Sequence, residues 1–573
     1  MTRNSVNPGL NARESVVPAM LNARLFKIIA FDLISFFGLL QIMTALLFLA
    51  GIPITKYHLP AAFLAGGIFT WFIMRDKGSI EKFRKDFVIA AGLVLMLIFL
   101  SIVVSSWFYD FSWDGQAYHQ ETILQLKDHW NPTRSYLSFT VLLSDVCNYY
   151  SRGIETLQAA IYAFTGRIES GKATNFIFFF ALASLSYSFL VGQLGFLPLK
   201  ASLIALLASC NPVFFYQAFT YYIDAQIYFL YAILVIAAVT VFIESDKASY
   251  FIYGFSIVLL LPAKFIAIPI AGIFIISFLL ILLVFRKYPV LKKTLAVSVV
   301  FSFLGFFIVG YQPYVTNMVN HGSPFYPFAG KGAARGAPLV DQSPETFPGK
   351  NRAEKFFISL FSRTDNLQSA ETSRTPELKI PFTVTKSELR IVWDQRIGGF
   401  GPFYSGIFLI SVILLVYLLF KPGPGDRLYL GLLMVALFCS IAIISESWWF
   451  RYIPQLWLFT IIVIIFYEKT GKTHFRDMVL KLLYFVMIVN LLLIASGTLF
   501  WNCRDTLKLN EQLQALKEEG KPVRANFSIF SGNRARLMEH GIRFTETREP
   551  MDTAVSFSML HSISKMCYVR DEK

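Results

Sequence analysis

The feature that most constrains this chain is the recurrence of apolar runs separated by short polar loops. Such runs occur near 25–50, 58–74, 87–109, 172–190, 200–217, 226–243, 249–262, 265–285, 293–311, 403–420, 427–446, 449–467 and 478–500. All but the short 249–262 are long enough to cross most or all of a hydrocarbon layer about 30 Å thick. With 55% hydrophobic and only 16% charged residues over 573 positions, no soluble core accommodates them. The chain therefore reads as an all-α polytopic membrane protein with about 13 transmembrane helices.

Charge gives the expected orientation. A formal net charge of +15 suggests nucleic acid in a soluble protein, but here there is no basic surface with interleaved aromatics. In a membrane protein the excess reports basic loops retained in the cytoplasm. The loop 75–85 is the first of these. Threading the spans in order puts Arg286, Lys287, Lys292 and Lys293, then Lys421 and Arg427, then Lys469, Lys472 and Arg476 on the same side. The N-terminus, which lacks the pattern of a secretory signal, is then cytoplasmic, and the C-terminus is external.

Three units follow: residues 1–86, a cytoplasmic tail with a transmembrane hairpin; 87–500, a membrane module with external loops 110–171 and 312–402; and 501–573, an external C-terminal domain. Within the first loop, 154–164 has helical spacing but is too short to span, and reads as a helix lying at the interface. The segment 329–343 in the second loop is rich in glycine and reads as mobile. In the tail, 507–519 reads as a helix and 523–530 as a strand, so a small α/β-like cap is expected. Five cysteines form no C-x-x-C pair. Cys503 and Cys567 share the tail, where pairing and free thiols stand as equal alternatives.

The polar residues that collect at the expected outer level carry the chemistry. The stretch 107–119 leaves an apolar run and sets Asp110, Asp114 and His119 among aromatic residues, with Glu121 just beyond. Asp224 opens a later run, Lys264 lies in a turn between two runs, and His321, Glu446 and Arg451 occupy further outer segments. A carboxylate there can deprotonate an acceptor hydroxyl. A lysine or arginine can hold a phosphate leaving group. Asp114, Asp110 and Asp224 are the candidate catalytic acids. His119, Glu121, Lys264, His321, Glu446 and Arg451 are the candidate substrate-binding residues. Asp32, inside the first span, is expected to pair with a neighbouring helix.

At this point the residues show a family likeness. Asp114-Gly-Gln-Ala-Tyr-His-Gln-Glu121, in a large external loop after a span, resembles the catalytic-loop motif of bacterial GT-C-fold membrane glycosyltransferases. That superfamily includes polyprenyl-phosphate-sugar-dependent mannosyltransferases and aminoarabinose transferases. Tyr150-Ser-Arg-Gly-Ile-Glu-Thr-Leu-Gln158, Thr165-Gly-Arg-Ile-Glu-Ser-Gly-Lys-Ala173, Asn320-His-Gly-Ser-Pro-Phe-Tyr-Pro327 and Arg451-Tyr-Ile-Pro-Gln-Leu-Trp457 are similar to other pieces of it. The resemblance implies a polyprenyl-phosphate-linked sugar donor entering from the bilayer, a glycan or lipid acceptor, and an inverting displacement assisted by Asp114. Two departures are visible. Gly115 follows Asp114 where an Asp-Glu pair is common, so a second acidic role falls to Asp110, Glu121 or Asp224, or is absent. Two spans also precede the motif where many members have one.

The resemblance places the activity at the outer face of a bacterial inner membrane. Two alternatives remain in view. A polysaccharide polymerase or ligase would use paired arginines of the late loop, for which Arg335, Arg352, Arg363, Arg374, Arg390 and Arg396 are available. A flippase would call for charge at mid-membrane depth, from which the spans are nearly free apart from Asp32, and for an inverted repeat, which is not evident. No cofactor is required by the sequence; one Asp-rich loop leaves a divalent cation open without indicating it.

Overall fold

Most of the apolar runs become helix. The structure, a computed structural model, describes residues 10–75, 80–333, 343–365, 375–390, 393–420, 424–470, 474–551 and 556–569, with side chains from residue 23 onward. Parts of the basic loop after Arg75 and of the segment 329–343 lie outside the described residues, as do Arg335, Arg374, Lys421 and Lys472.

Among the described residues, seven helices are long and apolar enough to cross a membrane: 23–49, 80–107, 168–192, 224–243, 267–284, 288–309 and 477–519. Five shorter apolar helices accompany them: His58–Met74, Pro198–Ser209, Lys247–Leu260, Tyr404–Phe420 and Arg427–Ala442. The chain is a helical membrane protein with a small C-terminal sheet. Asp32 accepts a hydrogen bond from Thr70 Oγ1 of the next helix (2.9 Å), which satisfies a polar group that lipid would not.

Two expected spans are interrupted for a local reason. The run 200–217 breaks into Pro198–Ser209 and Pro212–Gln217. Pro212 has no N–H to continue the ladder, and Asn211 caps the new start by accepting from Val213 N–H (2.7 Å). The run 449–467 begins as two short 3-10 turns and becomes an α-helix only at Trp457–Lys469, after Pro454. The two breaks meet, with Asn211 Nδ2 donating to Pro454 O (3.0 Å).

The division expected at residue 500 falls inside a single helix, His474–Glu519. At 1.5 Å per residue it is about 70 Å long, roughly twice a bilayer core. Its last turns carry the C-terminal domain, in which Leu509, Leu513 and Leu516 share a face with buried Val523 and Ala525. Four strands form the sheet: β1 (Val523–Asn526), β2 (Phe544–Glu546), β3 (Phe557–Ser558) and β4 (Lys565–Tyr568), in the order β2-β1-β4-β3. β1 runs parallel to β2, connected through the Gly532–Glu539 helix, and antiparallel to β4. Cys503 and Cys567 are both free thiols.

The segment expected as a surface helix is a helix, Gly153–Thr165, but a buried one: every residue from Gly153 to Tyr162 is inside the protein. Its polar positions explain the difference. Glu155 bonds His119, and Gln158 donates to Thr174 (3.3 Å), so both faces have protein partners.

Candidate functional site

A cavity of about 660 Å³ opens between the segment 113–155, the turn at Lys264 and the segments around Asp394 and Arg451. Its centre is Arg451. The guanidinium bonds Asp224 (Nη1 to Oδ2, 2.8 Å), sits in an ion pair with Asp394 (Nε to Oδ1, 2.6 Å), and reaches Asp114 only loosely (Nη2 to Oδ2, 3.4 Å). It lies over the rings of Tyr222 and Tyr452, centroids at 4.5 and 5.0 Å. Lys264 donates to the other oxygen of Asp224 (2.7 Å) and lies 5.0 Å from the same Tyr452 ring.

Each group is placed by its backbone. Asp224 begins the Asp224–Ile243 helix, where the amide dipoles favour a negative charge, and Gln217 Nε2 donates to it (3.2 Å). Lys264 stands in a turn pinned from two sides: Tyr314 donates to Leu261 O (2.6 Å), and Gly153 N–H donates to Pro262 O (2.8 Å). A Cβ at residue 153 would lie 2.8 Å from that carbonyl oxygen, so only glycine permits the approach. The segments around Asp394 and Arg451 run side by side, with Arg451 N–H donating to Gln395 O (3.2 Å). Trp449 Nε1 and Arg396 Nε both donate to Asp394 (2.9 Å each).

Asp114 is the least committed acid. Its side chain is 24% exposed, against 1% for Asp224 and 8% for Asp394. It begins a π turn, Gly115–His119, followed by the Gln120–Lys127 helix. Gly115 has a tertiary cause. A Cβ there would fall 1.9 Å from Asp110 Oδ2 and 2.4 Å from Ser112 Oγ, so the chain has no room for an acid after Asp114. Burial first, and then the Asp114 carboxylate, push the Tyr118 phenol well above its usual range. Tyr118 stays neutral, a hydrogen-bonding group on the cavity wall.

Of the nine expected site residues, Asp114, His119, Lys264, Glu446 and Arg451 line the cavity. Asp224 does not line it; its two oxygens bond Lys264 and Arg451. His119 Nδ1 is 2.7 Å from Glu155 Oε1, and that neighbour also lines the cavity. His321 does not; it stacks on Tyr326, centroids 3.6 Å apart, and meets Tyr149 edge-on. Glu121 faces elsewhere, as described below.

Asp110 belongs to a sealed network. Its oxygens accept from Ser112 N–H and Tyr221 N–H (2.7 Å each), and its own N–H donates to Glu169 (3.1 Å). Glu169 binds Lys172 and Arg536, the latter at 2.6 Å, and Arg536 also donates to Asp110 O (2.7 Å). Burial pushes the Asp110 carboxyl up, against the pull of the Lys172 ammonium. With no exposed surface, it cannot meet a substrate.

Sequence reading passed over Asp394 and Glu155, and weighed Arg396 only as one late-loop arginine among six. Asp394 sits in Trp393-Asp-Gln-Arg396, an acid and a base beside a tryptophan, which was a usable signal. Among the described residues, no group of three or more His, Cys, Asp or Glu side chains is placed to hold a metal ion. Between Asp114, Asp224 and Asp394 the Arg451 guanidinium occupies the middle. No protein-family model, curated protein or solved structure matches the chain.

Proposed function

We propose that the chain is a membrane glycosyltransferase. It moves a sugar from a polyprenyl-phosphate donor to a cell-envelope glycan or lipid acceptor, at the periplasmic face of a bacterial inner membrane. The observation that carries this is the asymmetry around Arg451: three aspartates surround one guanidinium, Asp224 and Asp394 are nearly covered at 1% and 8% exposed, and Asp114, at 24%, is the most open to a cavity that also presents Lys264 and Arg396. One side of that cavity is apolar, with Ile266, Pro269, Ile443 and Ile444 where two membrane helices end, a surface suited to a lipid chain. The basic short loops support the periplasmic assignment through the positive-inside rule.

In this reading Asp114 takes the proton of the acceptor hydroxyl as its oxygen attacks the anomeric carbon from the face opposite the phosphate. The bond from that carbon to the phosphate oxygen breaks, and the lipid phosphate leaves as an anion met by Lys264 and Arg396. No acid is needed to protonate it, which fits the commitment of Asp224 and Asp394 to Arg451. Purified protein in proteoliposomes, supplied with a polyprenyl-phosphate sugar and candidate acceptors, tests this. Asp114→Asn is expected to lower transfer by about 10²–10⁴-fold with unchanged folding; full activity in that variant sinks the assignment.

Arg396 favours a second reading, a polymerase or ligase that transfers whole glycans. Of the arginines weighed for it, Arg396 lines the cavity, whereas Arg352 and Arg390 are exposed and Arg363 pairs with Glu377 (2.7 Å). Product length separates the two: one added sugar against a transferred block.

A further inference from the structure

The Gln120–Lys127 helix stands between two cavities. Thr122 lines the one around Asp114. Glu121 and Gln125, one turn apart, line another of about 350 Å³, closed on its far side by the C-terminal domain. That size lies within the roughly 300–1,000 Å³ of small-ligand sites. The two share a wall: Trp113, on the first cavity, meets Phe530 edge-on at 5.0 Å, and the residues either side of Phe530 line the second.

The second cavity contains a carboxylate with one unbonded oxygen, although the Arg534 guanidinium lies near enough to feel its charge. Glu121 is 3% exposed; its Oε1 accepts from Gln125 Nε2 (2.6 Å), and its Oε2 has no hydrogen-bond partner among the described residues. Ser531 Oγ on the far wall is also buried and unpartnered. Native proteins rarely leave such groups unmatched, least of all a carboxylate, so the geometry asks for a ligand that donates. The wall's arginines do not turn this into an anion site. Arg534 is held by Glu546 through two bonds of 3.0 Å, and Arg548 donates to Thr140 O. A phosphate entering here would meet Glu121 with like charge. A polyhydroxyl compound brings O–H donors to Glu121 and acceptors to Ser531.

We propose that this second cavity binds a neutral glycan segment of the acceptor, remote from its reacting hydroxyl. The proposal rests on the transferase reading and adds the acceptor's class to it. Binding energy gained one helix away from Asp114, a width of about 10 Å, would hold the reacting hydroxyl at the base and favour long acceptors over short ones.

The test uses full-length protein in detergent, without donor, on an array of neutral, phosphorylated and uronic-acid-bearing bacterial oligosaccharides. Wild type and Asp114→Asn are expected to retain the same neutral oligosaccharides. Glu121→Ala and Thr140→Trp, the latter filling the cavity from an exposed residue, are expected to lose them at least ten-fold. Retention of neutral glycans by a protein with no transfer activity refutes the transferase reading alone. Three results overturn the glycan site itself: binding untouched by both substitutions, binding confined to phosphorylated or acidic oligosaccharides, and no binding at all.

Discussion

Two buried arginines, Arg451 and Arg536, do different work with similar partners. Arg536 is sealed: it fastens the C-terminal domain to Glu169 and to the backbone of Asp110, within a network that also contains Lys172. Arg451 is also buried, at 3% exposed, but its third aspartate opens onto a cavity. Asp110 and Asp114 thus lie four residues apart and belong to opposite kinds of environment. In the first every carboxylate oxygen is matched by protein and no surface is left for a ligand. The second leaves one carboxylate under-matched, the condition for chemistry.

Removing each arginine should separate the two roles. Arg451→Met leaves Asp394 and Asp224 buried with less compensation, so stability is expected to fall by about 3–5 kcal/mol, read by thermal unfolding in detergent, with transfer lost. Arg536→Met should cost less, toward the lower end of the same roughly 3–5 kcal/mol range, because Glu169 keeps Lys172. Its distinguishing readout is faster proteolysis of the region beyond residue 519. A protease-resistant tail in that variant breaks the comparison.

Gly115→Ala tests the boundary between the networks. Its new Cβ collides with the Asp110 carboxylate, for which overpacking costs about 1–3 kcal/mol. The expected signature is a lower kcat with a nearly unchanged KM, since Asp114 shifts while the cavity remains. The smallest effect concerns Glu539, which accepts from Ile168 N–H (2.7 Å) beside the sealed network. Burial pushes its carboxyl up to about 7, with the Ile168 bond opposing and Glu169 adding to the rise. A carboxyl with a raised folded value binds its proton more tightly when folded. Its stabilising contribution is therefore complete below about 4.5, falls as pH rises towards 7, and is level above that. Glu539→Gln keeps the acceptor oxygen, and is expected to raise the melting temperature at pH 8 but not at pH 5.

The site was legible where one residue's local setting decides its fate. Asp114 in its aromatic loop, Lys264 between two apolar runs and Arg451 in an aromatic stretch were all visible, and all three reach the cavity. Asp394 was less so: Trp393-Asp-Gln-Arg396 marks a polar cluster, but nothing near it in sequence announces that residues 393–396 will lie beside 450–451. Asp110 and Glu121 carried the same signal as Asp114, an acid near a membrane boundary. One is sealed by Arg536, about 430 positions away, and the other faces a cavity built largely from the C-terminal domain.

The sequence by itself determined the helical membrane character and where most helices run, because burial in lipid or core imposes a short-range period that a run of residues either meets or fails. The breaks at Pro212 and Pro454 have an equally local cause, although both runs read as continuous spans in the sequence. Only the tertiary structure decided which acids pair, which one stays open, and why glycine follows Asp114. Charge pairing and steric exclusion are set by distances between residues hundreds of positions apart, and no local pattern encodes those distances.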